Sequence, residues 1–439
     1  MTPQFVRQHN EHEAFWRSLP DHEFFGPRVH HVYFYSDVND ESVLTLRTDV
    51  LDACRATVSD KGVRITPKPI VIHVCSRGGQ IRSMQWLMSL FNQVDVPICT
   101  MVDALSASAA TCLTVMAPYR VATEHSMTLI HDYHSLTAGK REALVARQEG
   151  LEMGREQYKQ ILLARTRLTD AALEEMLRRD MWLDAETCMK SGLIDRVIRP
   201  DRRASVAKYM ESSKMAELPA RTPLSKMDFN SVFATCTADM PKAFDALMCK
   251  MDDMKPIVFV TPGGSDCGTE NDPMISLAMI ARIQSAGVPV FGVVDNAVSW
   301  WELLPVLFCH HRYMYSNATV VSDMAYTDMW GMRLRDIIHN TTVMRKLITD
   351  VVKLRARPTS ALLADMFDRT MTLSANECHK NGMVDEVVEL YARIPTHVRP
   401  APPPAPSSPP PPPSSPPSSP SQARKRAAKG KSGGRKGRR

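Results

Sequence analysis

PIVIHVCSRGG (69–79) is a largely apolar run closed by paired glycines, and it has a counterpart in PIVFVTPGG (256–264). A run this short, apolar and β-branched reads as a strand buried on both faces. Outward from it the correspondence continues. VPICTMVDALS (96–106) answers to VPVFGVVDNAVS (288–299), and LDAETCMKSGLIDRVI (183–198) to LSANECHKNGMVDEVV (373–388). Blocks repeated in the same order at similar spacing predict two copies of one fold. In each copy an amphipathic stretch follows the glycines, QIRSMQWLMSLFNQV (80–94) and PMISLAMIARIQSAG (273–287). A second strand, a small-residue turn and another helix come next. This alternation predicts parallel βαβ units and an α/β fold.

The copies are bounded by changes of composition. Residues 1–27 read as an N-terminal extension, 28–200 as the first copy, 201–226 as a linker, 227–395 as the second copy and 396–439 as a disordered tail. The linker gains Pro, Ser and charge and loses apolar periodicity. From Pro400 to Pro420 the chain is almost only Pro, Ser and Ala, which favours extended polyproline II and buries no core. At about 3.1 Å per residue this stretch spans about 60 Å. Residues 422–439 hold nine Lys or Arg and no acid, so the overall charge of +6 leaves −3 on residues 1–421. The basic tip is expected to bind nucleic acid or another polyanion.

With 44% hydrophobic and 23% charged residues the chain is globular, and no window has the apolar length of a membrane span. The start, MTPQFVRQHNEHEAFWRSLP, lacks the apolar core of a signal peptide, so a cytoplasmic protein is expected, or a nuclear one in a eukaryotic or viral setting. Ten cysteines are scattered without a CxxC pair, as core residues in a reducing compartment are. Neither a metal nor a cofactor is expected from that spacing.

ALSASAATCL (104–113) places two serines between a strand and a helix. A helix N-terminus supplies unpaired amides and the positive end of a dipole, which favour an oxyanion forming beside a hydroxyl. Ser106 and Ser108 read equally as N-caps or packing residues when taken alone. The glycines of SRGG allow close backbone approach, His131 ends the apolar run SMTLI, and Asp180 follows a long polar helix region, 140–167. A serine, a histidine and an aspartate at element ends can converge as a triad.

The blocks SRGGQ, ALSASAATCL, MTLIH and RRDMWLDAE, followed by SGLIDRVI, resemble those of the Clp protease proteolytic subunit family, within the crotonase-like superfamily. The resemblance covers roughly 28–200. It implies a ββα-superhelix fold and a serine peptidase. It selects Ser108, five residues before Leu113, as nucleophile, His131 as base and Asp180 as the residue orienting the imidazole. Gly78 and Ala109 would supply the oxyanion-hole amides. His134 is the competing local histidine and reads as a surface residue. Arg77 stands where the family has proline, and Ala110 where it often has glycine. The resemblance further implies polypeptide substrates, a homo-oligomeric ring assembly and a separate ATP-dependent unfoldase, since no GxxxxGK[ST] motif occurs in this chain. The helix regions 140–167 and 327–357 would pair copies face to face.

In the second copy Gly263, Gly264 and Ser299 align with the first site, whereas the histidine position falls on Asp323 and the aspartate position on Thr370. With no aligned base, and with Trp300 and Trp301 beside Ser299, this copy reads as degenerate and structural. His310, His311 and Asp368 are the nearby groups for a rearranged site. A signal-peptide-peptidase-A type would need a lysine serving Ser299, which the sequence does not clearly offer, and the aligned Ser/His/Asp set argues against a crotonase-type hydratase; the alternative that stays open is a non-catalytic scaffold tethered to nucleic acid by its tail.

Overall fold

The computed structural model describes residues 3–55, 57–58, 64–87, 90–91, 94–132, 140–212, 230–233, 239–249, 255–261, 273–322 and 334–388. Gly263, Gly264, Asp323, His134 and the whole expected tail lie outside the described residues.

The first half opens with α1 (Pro3–Ser18), β1 (His30–Phe34) and α2 (Asp40–Ala53). The start of α2 is fixed by a capping box between Asn39 and Ser42. A short antiparallel pair, β2 (Thr57–Val58) and β3 (Arg64–Ile65), leads to β4 (Ile70–Ser76), α3 (Ile81–Gln85) and β5 (Ile98–Ala107). Then come α4 (Ala109–Met116), β6 (Tyr119–Thr123), β7 (Met127–Ile130), α5 (Arg141–Arg165), α6 (Asp170–Arg179), β8 (Met181–Asp184), α7 (Ala185–Ser191) and β9 (Arg196–Ile198). The amphipathic reading of 80–94 narrows to α3. Beyond it the Leu87 and Leu90 amides bond three residues back, so the apolar positions stay inward through tight turns.

The strands pair in the order β1-β4-β5-β6-β9, all parallel. Every residue of β4 and β5 is buried, as the apolar runs predict. A register shift between Val74 and Ser76 turns the end of β5 away from β6, and Leu105–Ala107 pair instead with β7. Strand β8 then lies antiparallel on β7.

The second half is described as α8 (Arg203–Ser212), β10 (Asn230–Phe233), α9 (Asp239–Cys249), β11 (Ile257–Thr261), α10 (Pro273–Ser285), β12 (Val290–Val294), β13 (Val298–Ser299) and α11 (Trp300–Val306). It continues through β14 (His311–Tyr315), β15 (Thr319–Ser322), α12 (Leu334–Arg355), α13 (Ser360–Asp368), β16 (Met371–Ser374), α14 (Ala375–Lys380) and β17 (Glu386–Val388). Its parallel sheet runs β10-β11-β12-β14-β17, and β13-β15-β16 form a separate small sheet with β15 and β16 antiparallel. The pairing follows the first sheet with one interruption: β5 is continuous, whereas its counterpart breaks into β12 and β13. Both halves also carry the same arginine lock. Arg120 reaches Asp195 and the carbonyl of Arg165 at the end of α5; Arg312 reaches Asp385 and the carbonyl of Arg355 at the end of α12.

Residues 1–390 cluster as one compact unit. Cys75, Ala104, Leu105, Ala107 and Met127 of the first half share an apolar core with Ile275, Leu277 and Met279 of α10. The expected N-terminal extension is part of the fold, since Trp16, Phe24 and Phe25 are buried against Val71, Met101 and Val121. The segment read as a linker carries α8 as far as Ser212. Among the described residues no helix is long and apolar enough to cross a membrane.

Candidate active site

The strand register decides which side chains can meet. The last β5–β7 pair is Ala107 with Leu129, and the Ser108 amide donates to the Leu129 carbonyl at 2.9 Å. The last β7–β8 pair is Ile130 with Met181. One residue beyond these pairs, Ser108 leaves β5, His131 leaves β7 and Asp180 enters β8. Three residues scattered over 73 positions of sequence thus stand at one end of one ladder.

Among the described residues two non-glycines have positive φ, Ser108 at 56° and Asp180 at 50°. Ser108 has ψ −123° and makes no side-chain cap to α4. Such a conformation costs about 1–3 kcal/mol and persists only where the surroundings impose it. Here the imposing elements are the Leu129 carbonyl on one side and Gly78 on the other. A Cβ on Gly78, whose φ is 96°, would lie 2.5 Å from the Ala107 carbonyl oxygen and 2.6 Å from Ser108 Cβ. Glycine is therefore required for this backbone to press against the serine turn. Asp180 sits in the left-handed region as the C-cap of α6, a place aspartate tolerates.

Ser108, Ala109 and His131 line one cavity of about 280 Å³ together with Arg77, Gly79 and Tyr158. Asp132 also lines it, whereas Asp180 is not among the lining residues. His131 Nδ1 lies 2.7 Å from the Asp132 carbonyl oxygen. A carbonyl only accepts, so Nδ1 carries the proton and Nε2 keeps the basic lone pair. The Gly78 amide donates to Ser76 Oγ at 3.2 Å, and Ser76 Oγ donates to the Ser36 carbonyl at 2.7 Å. Ser106, the other candidate, is wholly buried, with its Oγ 2.9 Å from Thr114 Oγ1, and packs the strand.

Asp132, Arg155 and Tyr158 are site residues that sequence reading missed. Arg155 on α5 donates to Asp132 at 2.9 Å and to Glu174 at 2.6 Å. Lys159 on the same helix joins Glu174. The Arg155 hydrogen bond, then that of Lys159, pulls the Glu174 carboxyl down to about 2. The backbone just after His131 is thereby tied to α5 and α6. Asp132 directly follows the histidine, but no spacing rule links it to Arg155.

Ser299 occupies an ordinary N-cap with φ −73°. Its Oγ donates to Glu302 Oε2 at 2.9 Å, its own amide donates to the same oxygen at 2.7 Å, and Oγ accepts from the Glu302 amide. Trp300 beside it is wholly buried. Thr370 is exposed at the entrance of β16. His310 Nδ1 accepts from the Val290 amide at 3.0 Å, and burial pushes its pKa down to about 4. His311 lies 3.9 Å from Glu386, and Asp368 pairs with Arg345 at 2.9 Å.

The Clp protease family model matches residues 30–201. The chain is 29% identical over 135 residues to ATP-dependent Clp protease proteolytic subunit 1 of Protochlamydia amoebophila (strain UWE25), covering 30% of this chain and 66% of that one. It is 27% identical over 143 residues to proteolytic subunit 2 of Treponema pallidum (strain Nichols), covering 32% and 71%. With subunit 1 of Chlamydia muridarum (strain MoPn / Nigg) it shares 24% over 135 residues, covering 30% and 70%. The match thus spans about two thirds of the relatives' length. Residues 30–201 are thus a region similar to the Clp protease family and its proteolytic subunits.

Proposed function

We propose that residues 30–201 work as a serine endopeptidase on polypeptide substrates. Ser108 Oγ attacks the scissile carbonyl, His131 Nε2 takes its proton and returns it to the leaving amine, and the Asp180 carboxylate holds the imidazolium. The Ala109 amide, first in α4, and the Gly78 amide, once turned from Ser76, stabilise the oxyanion. The observation that carries this reading is the strained Ser108 turn opening onto a cavity shared with His131. A relaxed packing serine has no reason to hold that backbone conformation.

The second half, in this proposal, is a degenerate copy kept for structure. The shared strand order and the repeated Arg–Asp lock support it, as does the engagement of Ser299 by Glu302. The assembly is proposed as a cytoplasmic homo-oligomer or ring fed by a separate unfoldase, with residues 422–439 available to nucleic acid. The test is hydrolysis of an unfolded protein or fluorogenic peptide. Ser108→Ala should abolish it by a factor on the order of 10⁴ or more, while Ser299→Ala leaves it within twofold.

A non-catalytic scaffold is the second reading. It is favoured by two bonds, Gly78 to Ser76 and His131 Nδ1 to Asp132, which occupy groups the chemistry needs. Absence of turnover by well-folded wild type, indistinguishable from Ser108→Ala, would establish it.

A further inference from the structure

We propose that Arg77 makes the Ser108 cavity selective for peptides that carry an aspartate or glutamate beside the scissile bond. This rests on the peptidase reading above and names the substrate class of that same site. Arg77 directly precedes Gly78, is exposed, and lines the cavity that Ser108 and His131 share. Its direction follows from the strand end. Ser76 turns inward, where its Oγ donates to the Ser36 carbonyl, and successive side chains of an extended chain alternate, so Arg77 faces outward.

The backbone that carries Arg77 is fixed on its far side by Val38. The Val38 amide donates to the Gly78 carbonyl at 2.7 Å, and the Gln80 amide donates to the Val38 carbonyl at 2.8 Å. A Cβ on Gly79 would lie 2.3 Å from that same Val38 carbonyl oxygen, so the two backbones are already in contact. The guanidinium therefore extends from a rigid base next to Gly78, whose amide is the proposed donor to the scissile carbonyl. Consecutive Cα atoms stand about 3.8 Å apart, and an arginine side chain spans more than one such step. A substrate side chain flanking the scissile bond lies within its reach.

Charge gives the selectivity its sign. Besides His131, the charged residues lining the cavity are Arg77 and Asp132, and the two are not equivalent. Asp132 accepts from Arg155 at 2.9 Å, and Arg155 extends to Glu174 at 2.6 Å. A cationic substrate residue meeting Asp132 has to compete with that guanidinium, whereas a carboxylate meets Arg77 with Arg155 behind it. Arginine carries five N–H donors in a planar fork, so Arg77 takes a substrate carboxylate in addition to the contacts it already makes. Ile81 and Ala109 add apolar wall, which leaves such a pair less screened than in open solvent.

The experiment uses the full chain and internally quenched peptides identical except for Glu, Gln or Lys on one side of the scissile bond, then on the other. On the wild type, kcat/KM at the selective position should be about fivefold higher for Glu than for Gln, through KM, and lower again for Lys. Arg77→Gln should bring the Glu-to-Gln ratio within about twofold of one, and Arg77→Glu should invert it. Arg77→Lys should retain a preference for Glu, and salt at about 1 M should erase it in the wild type. Binding of labelled versions of the same peptides to Ser108→Ala, read by fluorescence anisotropy, separates this inference from the reading it rests on. A preference for Glu in binding, with no turnover by the wild type, would overturn the peptidase and leave the acidic selectivity standing. Turnover without a preference, equal binding where turnover is absent, or a preference that survives Arg77→Gln would overturn the role of Arg77.

Discussion

Ser108 and Ser299 stand at matched places in two similarly wired halves, each ending a strand and opening a helix. Where β5 runs unbroken into the turn, Ser108 is held at φ 56° with its side chain beside a cavity. In the second half the strand is interrupted between Val294 and Val298, and Ser299 is an ordinary N-cap at φ −73° whose hydroxyl is bound by Glu302. The difference lies in how the preceding strand delivers the residue. Ser108 lies one residue beyond the last β5–β7 pair, Ala107 with Leu129, whereas Ser299 is itself the last paired residue of β13, opposite Val321. In the proposed reading a nucleophile and a helix cap are alternative uses of one position, because a hydroxyl bonded to its own N3 residue is not presented to a substrate.

The largest effect that sharpens this comparison concerns Asp180. Asparagine tolerates its left-handed backbone, so Asp180→Asn changes charge more than shape. Peptide turnover should fall by about 10³–10⁴-fold. A fall under tenfold would instead give the orienting role to the Asp132 carbonyl that His131 Nδ1 meets in this structure. On the other side of the comparison, Ser299→Ala removes a cap and should cost about 1 kcal/mol of stability, measured by denaturant titration, without altering turnover. If Ser299→Ala silences hydrolysis, the two halves have been read the wrong way round.

The smallest effect concerns the tie behind His131. Glu174 has its pKa depressed from 4.5 to about 2, so its contribution is present above pH 4.5 and lost as pH falls toward 2. The carboxylate is more than a third exposed, which screens the interaction to a fraction of a kcal/mol. Glu174→Gln should therefore lower Tm slightly at pH 7, and the gap to wild type should close between pH 4.5 and pH 2. A gap that widens on acidification would contradict the pairing with Arg155 and Lys159.

Much of the scaffold is written locally. PIVIHVCSRGG and its counterpart are strands because their apolar runs are too short for helices, and Gly78 is demanded by a backbone contact that any side chain would block. The choice between the serines is also partly local: Ser299 and Glu302 form the S-x-x-E capping pattern, whereas Ser108 is followed three residues on by Thr111. What escaped sequence reading is carried by register and through-space charge. Asp180 reaches the end of the ladder only because β8 lies antiparallel on β7, and Asp132 meets Arg155 only once α5 has folded back. Trp16 and Phe24 gave no sign of entering the core, and Arg282 crosses to Asp103 over a separation of 179 residues. No periodicity encodes such contacts.

The most direct measurement is intact-mass analysis after treatment with a fluorophosphonate, which traps an activated serine whatever the natural substrate. A single adduct on wild type, retained in Ser299→Ala and lost in Ser108→Ala, is the predicted result. No adduct on well-folded wild type, or one that survives Ser108→Ala, would contradict the assignment of Ser108 as a poised nucleophile.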